Sequence, residues 1–247
     1  MQTIGLIGGM SWESSLEYYR IINEAVKAAL GGLHSARCIL YSVDFAEIEA
    51  MQQEGRWAEA GAVLAAAGQS LERAGADFLV LCTNTMHKLA GEIEQGVSIP
   101  LLHIADATAA RVQAAGISRV GLLGTRYTME QDFYKGRLIE RHGLDVLIPE
   151  AADRDTVHAV IYDELCLGIV REESRRRYRE IMAGLVQAGV QGIILGCTEI
   201  ELLVREEDST VPLFPTTRIH AEAAVERALA WWYNKSAVGF EPHRVCG

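Results

Sequence analysis

The chain has little of what cofactor, metal and membrane chemistry require. Lysine is confined to Lys27, Lys88, Lys135 and Lys235, and none follows a glycine-rich phosphate site, which disfavours a pyridoxal Schiff base. The seven histidines are scattered, without HxxxH or HxH spacing and without a cysteine joining them, so no metal site is expected. There is no GxSxG elbow, which disfavours a serine hydrolase. No apolar run approaches the roughly 18 residues of a membrane span, and the start Met1-Gln2-Thr3-Ile4-Gly5 lacks a basic leader region. The five cysteines (Cys38, Cys82, Cys166, Cys197 and Cys246) are odd in number, with no CxxC pair, so a reduced, cytoplasmic protein is expected. Basic residues are also outnumbered, 23 against 33 acidic ones, and the net charge of −10 gives nucleic-acid binding little support.

What the chain does have is alternation. Short apolar, often β-branched runs at Thr3–Ile7, Cys38–Ser42, Phe78–Leu81, Leu101–Ile104, Val120–Leu123, Ile193–Leu195 and Pro212–Phe214 predict strands. Between them, apolar spacings of three and four residues predict helices over Ser14–Leu30, Trp57–Ala74, Ala105–Ala115, Tyr127–Arg141, Arg171–Ala188 and His220–Tyr233. This is an α/β pattern with a parallel sheet covered on both faces. From Asn234 to Gly247 the sequence reads as a loose tail.

The pattern occurs twice. Ala74-Gly75-Ala76-Asp77-Phe78-Leu79-Val80-Leu81-Cys82-Thr83-Asn84-Thr85 matches Ala188-Gly189-Val190-Gln191-Gly192-Ile193-Ile194-Leu195-Gly196-Cys197-Thr198-Glu199 at an offset of 114 without a gap. Ile4–Gly9 matches Val120–Thr125 at an offset of 116, and Ser98–Leu102 matches Thr210–Phe214 at 112. Three matches in one order imply two pseudo-symmetric lobes, each a parallel sheet flanked by helices. Ligands of such sheets bind beyond the carboxyl ends of the strands. There the matched loops Gly8–Trp12, Thr83–His87, Gly124–Thr128 and Gly196–Ile200 fall together, with Thr83 opposite Cys197 and Cys82 opposite Gly196.

The cluster Gly5-Leu6-Ile7-Gly8-Gly9-Met10 does not fit GxGxxG, and it is read as a tight turn offering N–H groups to a small anion at a helix start. Thr83-Asn84-Thr85 fits both a helix cap and a carboxylate cradle, and His87 just beyond it is a candidate for a catalytic or orienting role. Cys197, at the start of an expected helix, is read as a thiol activated by the dipole. Cys38 and Cys166 are read as inert hydrophobes, and Cys82, pointing the other way from Thr83, as packed against the sheet.

Gly8-Gly9-Met10-Ser11-Trp12, Cys82-Thr83-Asn84-Thr85-Met86-His87, Leu123-Gly124-Thr125-Arg126-Tyr127-Thr128 and Gly196-Cys197-Thr198-Glu199 together resemble the aspartate/glutamate racemase superfamily, which is independent of pyridoxal phosphate. The resemblance runs from Met1 to Leu229 and is closest to bacterial amino-acid racemases. It implies a first lobe of residues 1–103 plus 214–247, a second lobe of residues 104–213, an active site between them, no cofactor, a small amino-acid substrate and a homodimer. It also implies two-base proton transfer at the α-carbon, with Cys197 as base on the L-face. The family usually has cysteine where Thr83 stands, so Thr83 becomes the opposite-face proton donor and the L-isomer of aspartate or glutamate is favoured. The implied substrate contacts are Met10, Gln52, Asn84, Thr85, Thr125, Thr198 and Glu199; Arg56 and Arg126 are candidates for a distal carboxylate. A one-cysteine decarboxylase of the same superfamily and a non-catalytic dicarboxylate binder are the alternatives.

Overall fold

The apolar runs that show no in–out alternation lie in the middle of a sheet. The computed structural model describes residues 1–236. In chain order it runs β1 (Ile4–Gly8), α1 (Trp12–Leu30), β2 (Cys38–Ser42), α2 (Phe45–Gln53), α3 (Trp57–Arg73), β3 (Phe78–Leu81), a 3-10 turn (Thr85–Leu89), α4 (Ala90–Gly96) and β4 (Leu101–Leu102). It continues through α5 (Ile104–Ala114), β5 (Arg119–Gly124), α6 (Arg126–Glu130), α7 (Lys135–His142), β6 (Asp145–Leu147), α8 (Ala151–Asp163), α9 (Glu172–Gln187), β7 (Gly192–Gly196), α10 (Ile200–Leu203), β8 (Leu213–Pro215) and α11 (Thr216–Ser236). β1, β3 and β7 are buried along their whole length, as strands covered by helices on both faces must be.

Two four-stranded parallel sheets result, ordered β2-β1-β3-β4 and β6-β5-β7-β8. The registers correspond as well: Ile7 pairs with Leu81 in the first sheet, and Leu123 with Leu195 in the second. In the first lobe, Leu64, Leu71 and Ile93 from α3 and α4 pack on one face of the sheet around Leu79. The other face is covered by α1 and α11, through Tyr18, Ile22 and Val26 beside Ala221, Ala224 and Ala228. The second lobe has its own core, including Leu122, Ile161, Tyr178, Leu185 and Ile194. Among the described residues no helix is long and apolar enough to cross a membrane.

Some elements depart from the sequence reading. The single helix expected over Tyr127–Arg141 is broken into α6 and α7, because Gln131 is extended (φ −91°, ψ 151°) and the turn carries Tyr134 inward to full burial. β6, α2 and α8 were not expected; α8 buries only Val157, Val160 and Ile161 and is otherwise too polar to announce itself. α11 continues through Asn234 to Ser236, where a loose tail was expected. The remainder of that tail, with Cys246, lies outside the described residues.

The chain crosses between the lobes at α5 and again at α11, and three imidazoles are buried there. His220 donates from Nε2 to Leu102 O at 2.8 Å and accepts at Nδ1 from the Tyr18 hydroxyl at 2.8 Å. His103 caps α5, its Nδ1 accepting from Ala105 N–H at 3.2 Å. The His87 ring lies 4.5 Å from His103 and 5.7 Å from His220. Burial lowers all three pKa values, that of His220 to about 4 and that of His103 to about 3. The folded values lie below the unfolded value of about 6.5, so the neutral forms stabilise the fold above that pH. That contribution is lost as the pH falls from about 6.5 toward 4, at up to about 1.4 kcal/mol per pH unit for each histidine. Urea unfolding should therefore show stability falling between pH 7 and 5, with a shallower slope in His220→Gln; equal slopes in the two proteins would contradict this account.

Candidate active site

The loops leaving β1, β3, β5 and β7 converge on one cavity between the sheets, enclosing roughly 510 Å³ that includes space open to solvent. Met10, Gln52, Thr83, Asn84, Thr85, Thr125, Cys197, Thr198 and Glu199, all singled out in the sequence, line it. Thr83 and Cys197 come from matched loops in opposite lobes. The Thr83 hydroxyl has no hydrogen-bond partner among the described residues. Cys82 is absent from the cavity wall and is fully buried in the core beneath α1 and α11.

Cys197 is buried, and its Sγ lies 2.9 Å from Glu199 Oε2. Its thiol is pushed well above the ordinary value, first by burial and then by the Glu199 charge; the Glu199 backbone N–H acts in the opposite direction. The expected lowering by a helix dipole is not found. α10 has only four residues, and a carboxylate stands where a cation would be needed.

Glu199 joins the lobes. Its Oε1 accepts from the hydroxyls of Ser11 and Ser14, both at 3.2 Å, at the start of α1. This is where the glycine-rich turn was expected to receive a small anion, and the protein's own carboxylate occupies it. Gly9 N–H is used internally, bonding Ser15 Oγ at 2.7 Å. A Cβ on Gly9 (φ +94°) would fall 2.2 Å from Val43 O, so both the conformation and the space there require glycine.

Asn84 has a defined amide orientation. Thr216 Oγ1 donates to Leu195 O at 2.9 Å and can only accept from Asn84 Nδ2 at 3.0 Å. Asn84 Oδ1 is thereby left buried without a partner, as an acceptor for a ligand donor. The neutral hydroxyls come from both lobes: Thr85 and Thr125 are 3.0 Å apart, and Thr198 lies 2.7 Å from Thr217. Gln52 Nε2 donates to Tyr162 Oη across the cleft at 3.0 Å. Gly196 can carry no side chain, since a Cβ there would lie 2.9 Å from Leu123 O.

Ser11, Ser14, Tyr162 and Cys166 also line the cavity and were not foreseen. The first two stand in or beside the Gly8–Trp12 loop, where an S-x-x-S cap pattern was a legible signal; Ser14 N–H bonds Ser11 Oγ at 3.3 Å. Tyr162 and Cys166 belong to α8 and the turn after it, which the periodicity did not reveal. Cys166, read as inert packing, faces the cavity, with burial and then Glu199 pushing its thiol up to about 12. Arg56 pairs with Glu54 and Glu59, and Arg126 with Asp155; neither lines the cavity. His87 is buried behind the Thr83 loop, outside the wall.

A profile of the Asp/Glu/hydantoin racemase family matches residues 7–224. A Yersinia pestis structure given as a candidate Asp/Glu racemase superposes with a TM-score of 0.89 at 59% identity, covering 93% of this chain and 100% of its own. The aspartate racemase homologue of Pyrococcus horikoshii superposes with a TM-score of 0.81 at 33% identity, covering 92% and 99%. The broad-specificity amino-acid racemase RacX of Bacillus subtilis is 25% identical over 65% of this chain and 69% of its own length.

Since the Glu199 charge raises the Cys197 thiol, Glu199→Gln should shift its titration toward lower pH. The thiolate absorbance in the ultraviolet, with Cys197→Ser as the blank, reads that shift directly. An unmoved midpoint would mean that burial alone sets the value.

Proposed function

Because the chain belongs to the Asp/Glu/hydantoin racemase family, we propose that it is a cofactor-independent amino-acid racemase that exchanges the α-proton between Cys197 and Thr83. The observation that carries this reading is the unequal pair of walls. Cys197 Sγ touches a carboxylate at 2.9 Å, whereas the Thr83 hydroxyl has no basic group bonded to it among the described residues.

An α-ammonium entering the cavity has two acceptors awaiting it, the Glu199 carboxylate and the unpartnered Asn84 Oδ1. Pairing with Glu199 neutralises the charge that holds the thiol protonated, so substrate binding itself lowers the Cys197 pKa. The Cys197 thiol then gives up its proton to solvent at the open mouth, and the resulting thiolate removes the α-proton from the face it touches, becoming a thiol again. The α-carboxylate meets the neutral donors Thr85, Thr125 and Thr198, which support the negative charge developing on the planar carbon. Thr83 delivers its hydroxyl proton from the other face and recovers one from water at the open mouth, which inverts the centre. Run in reverse, the reaction requires Thr83 to act as base at an alcohol's unfavourable pKa, so rates favour the isomer whose proton faces Cys197. The family resemblance assigns that face to L-aspartate or L-glutamate.

A second substrate reading rests on one observation: among the described residues, Glu199 is the only charged side chain lining the cavity, with no lysine or arginine for a distal carboxylate. The far wall instead offers Gln52 and Tyr162, which favours neutral polar side chains. A higher kcat/KM for L-glutamine than for L-glutamate would select this reading, and the reverse order would restore the dicarboxylates.

Homodimer formation is part of the proposal. Trp12, Leu16 and Tyr19 of α1 form an exposed apolar stripe at helical spacing, beginning beside the Ser11 loop. Sedimentation should find a dimer that Leu16→Arg weakens; a monomeric wild type would refute it.

Solvent deuterium exchange tests the mechanism. Cys197→Ser should lower exchange from the favoured isomer by at least about 100-fold, and Thr83→Cys should bring the two enantiomers closer to equal. Equal exchange from both enantiomers in the wild type would rule out the asymmetric mechanism.

A further inference from the structure

Behind Thr83, outside the cavity, stands a side chain that the proton transfer does not use. His87 is 2% exposed, lies in the 3-10 turn Thr85–Leu89 and has both ring nitrogens engaged. Nδ1 donates to Thr83 O at 2.7 Å, and Nε2 accepts from Ile104 N–H at 3.2 Å. These two bonds fix a neutral tautomer with the proton on Nδ1. They also tie two separate places together: the main chain of the residue facing Cys197, and the first residue of α5, where the chain enters the second lobe.

The repeat shows what is particular about this arrangement. Residue 201 is the mate of residue 87, and both loops close with the same main-chain bond: His87 N–H to Asn84 O at 3.1 Å, and Glu201 N–H to Thr198 O at 3.2 Å. In the second lobe the carbonyl of the reacting residue, Cys197 O, accepts from Ile200 N–H at 3.2 Å. In the first lobe the matching carbonyl, Thr83 O, is held by the imidazole. Cys197 is thus positioned by its own main chain, and Thr83 by a side chain anchored to the crossing.

We propose that His87 is the positioning residue of the Thr83 half-site: it holds the Thr83 main chain against the inter-lobe crossing and so sets the reach of the Thr83 hydroxyl to the carbon between the lobes. The inference rests on the racemase reading for its catalytic readout. A proton donor misplaced by an ångström loses much of its rate, and only the Thr83 face depends on this bond. Packing alone would give His87 no preference between the two faces.

The experiment compares His87→Asn, whose amide N–H can reach the Nδ1 position, with His87→Leu, which has no donor. In His87→Leu, proton delivery at the Thr83 face should fall about 10-fold or more, with KM and deuterium exchange at the Cys197 face within about 3-fold of wild type. His87→Asn should recover most of the loss. Ile104→Pro is a second variant that spares the imidazole. It removes the N–H accepted by Nε2 and exchanges the buried Ile104 side chain for the smaller proline ring, at the first residue of α5, where proline is tolerated, after His103 with an extended ψ of 128°. It should reproduce the one-sided loss in milder form. Equal losses at both faces, or no rescue by asparagine, would overturn the proposal.

A readout free of catalysis accompanies these. Amide hydrogen exchange of the peptide spanning Thr83–Thr85, followed by mass spectrometry, should quicken several-fold in His87→Leu relative to the Cys197–Glu199 peptide. Unchanged protection there would overturn the positioning role whatever the enzyme's substrate. Absence of α-proton exchange in the wild type would instead strike the racemase reading and leave this structural test standing.

Discussion

The cleft depends on one carboxylate. Glu199 reaches from the second lobe to the hydroxyls of Ser11 and Ser14 in the first, and its other oxygen rests on the Cys197 sulfur. Glu199 is half-buried, and the neutral hydroxyls of Ser11 and Ser14 take the place of part of its water. The same charge raises the thiol beside it and leaves an opening for an ammonium group. Lobe contact and thiol protonation are thus coupled through a single residue, and on the proposed reading the charge of the substrate joins them.

The two lobes repeat a topology without repeating its chemistry. Both sheets run in the same order and place matched loops at the same strand ends. Cys197 has a carboxylate against its side chain and a main-chain N–H on its carbonyl. Thr83 has a hydroxyl unbonded among the described residues and an imidazole on its carbonyl. Duplication supplies two matched walls, and divergence has given each different support; on the proposed reading these are the two faces of one carbon.

Most of this geometry was legible from local pattern. Four unalternating apolar runs mark β1, β3, β5 and β7, and the ungapped repeat places Thr83 opposite Cys197. The same pairing removed Cys82, which lies fully buried in the core. What could not be read depended on distant partners. Nothing in Gly196-Cys197-Thr198-Glu199 says that Glu199 turns back onto the thiol, so the local helix-dipole argument gave the wrong direction. Tyr162 was hidden because α8 is mostly polar outside Val157, Val160 and Ile161, and periodicity is silent for such a helix. The interruption between α6 and α7 was hidden too, since Tyr134 fits a helical spacing as well as the inward turn it makes.

The bare strand end at Gly196 has a consequence for how such a site can diverge. Its Cβ position is closed by Leu123 O at 2.9 Å, so the segment bearing Cys197 is wedged against its neighbour. The corresponding place in the other copy, Cys82, accommodates a full side chain within the core. One half of the molecule therefore admits a side chain just ahead of Thr83, and the other admits none just ahead of Cys197. Any side chain at position 196 would displace the strand end that carries the thiol, so on the proposed reading the Cys197 half-site tolerates no change there.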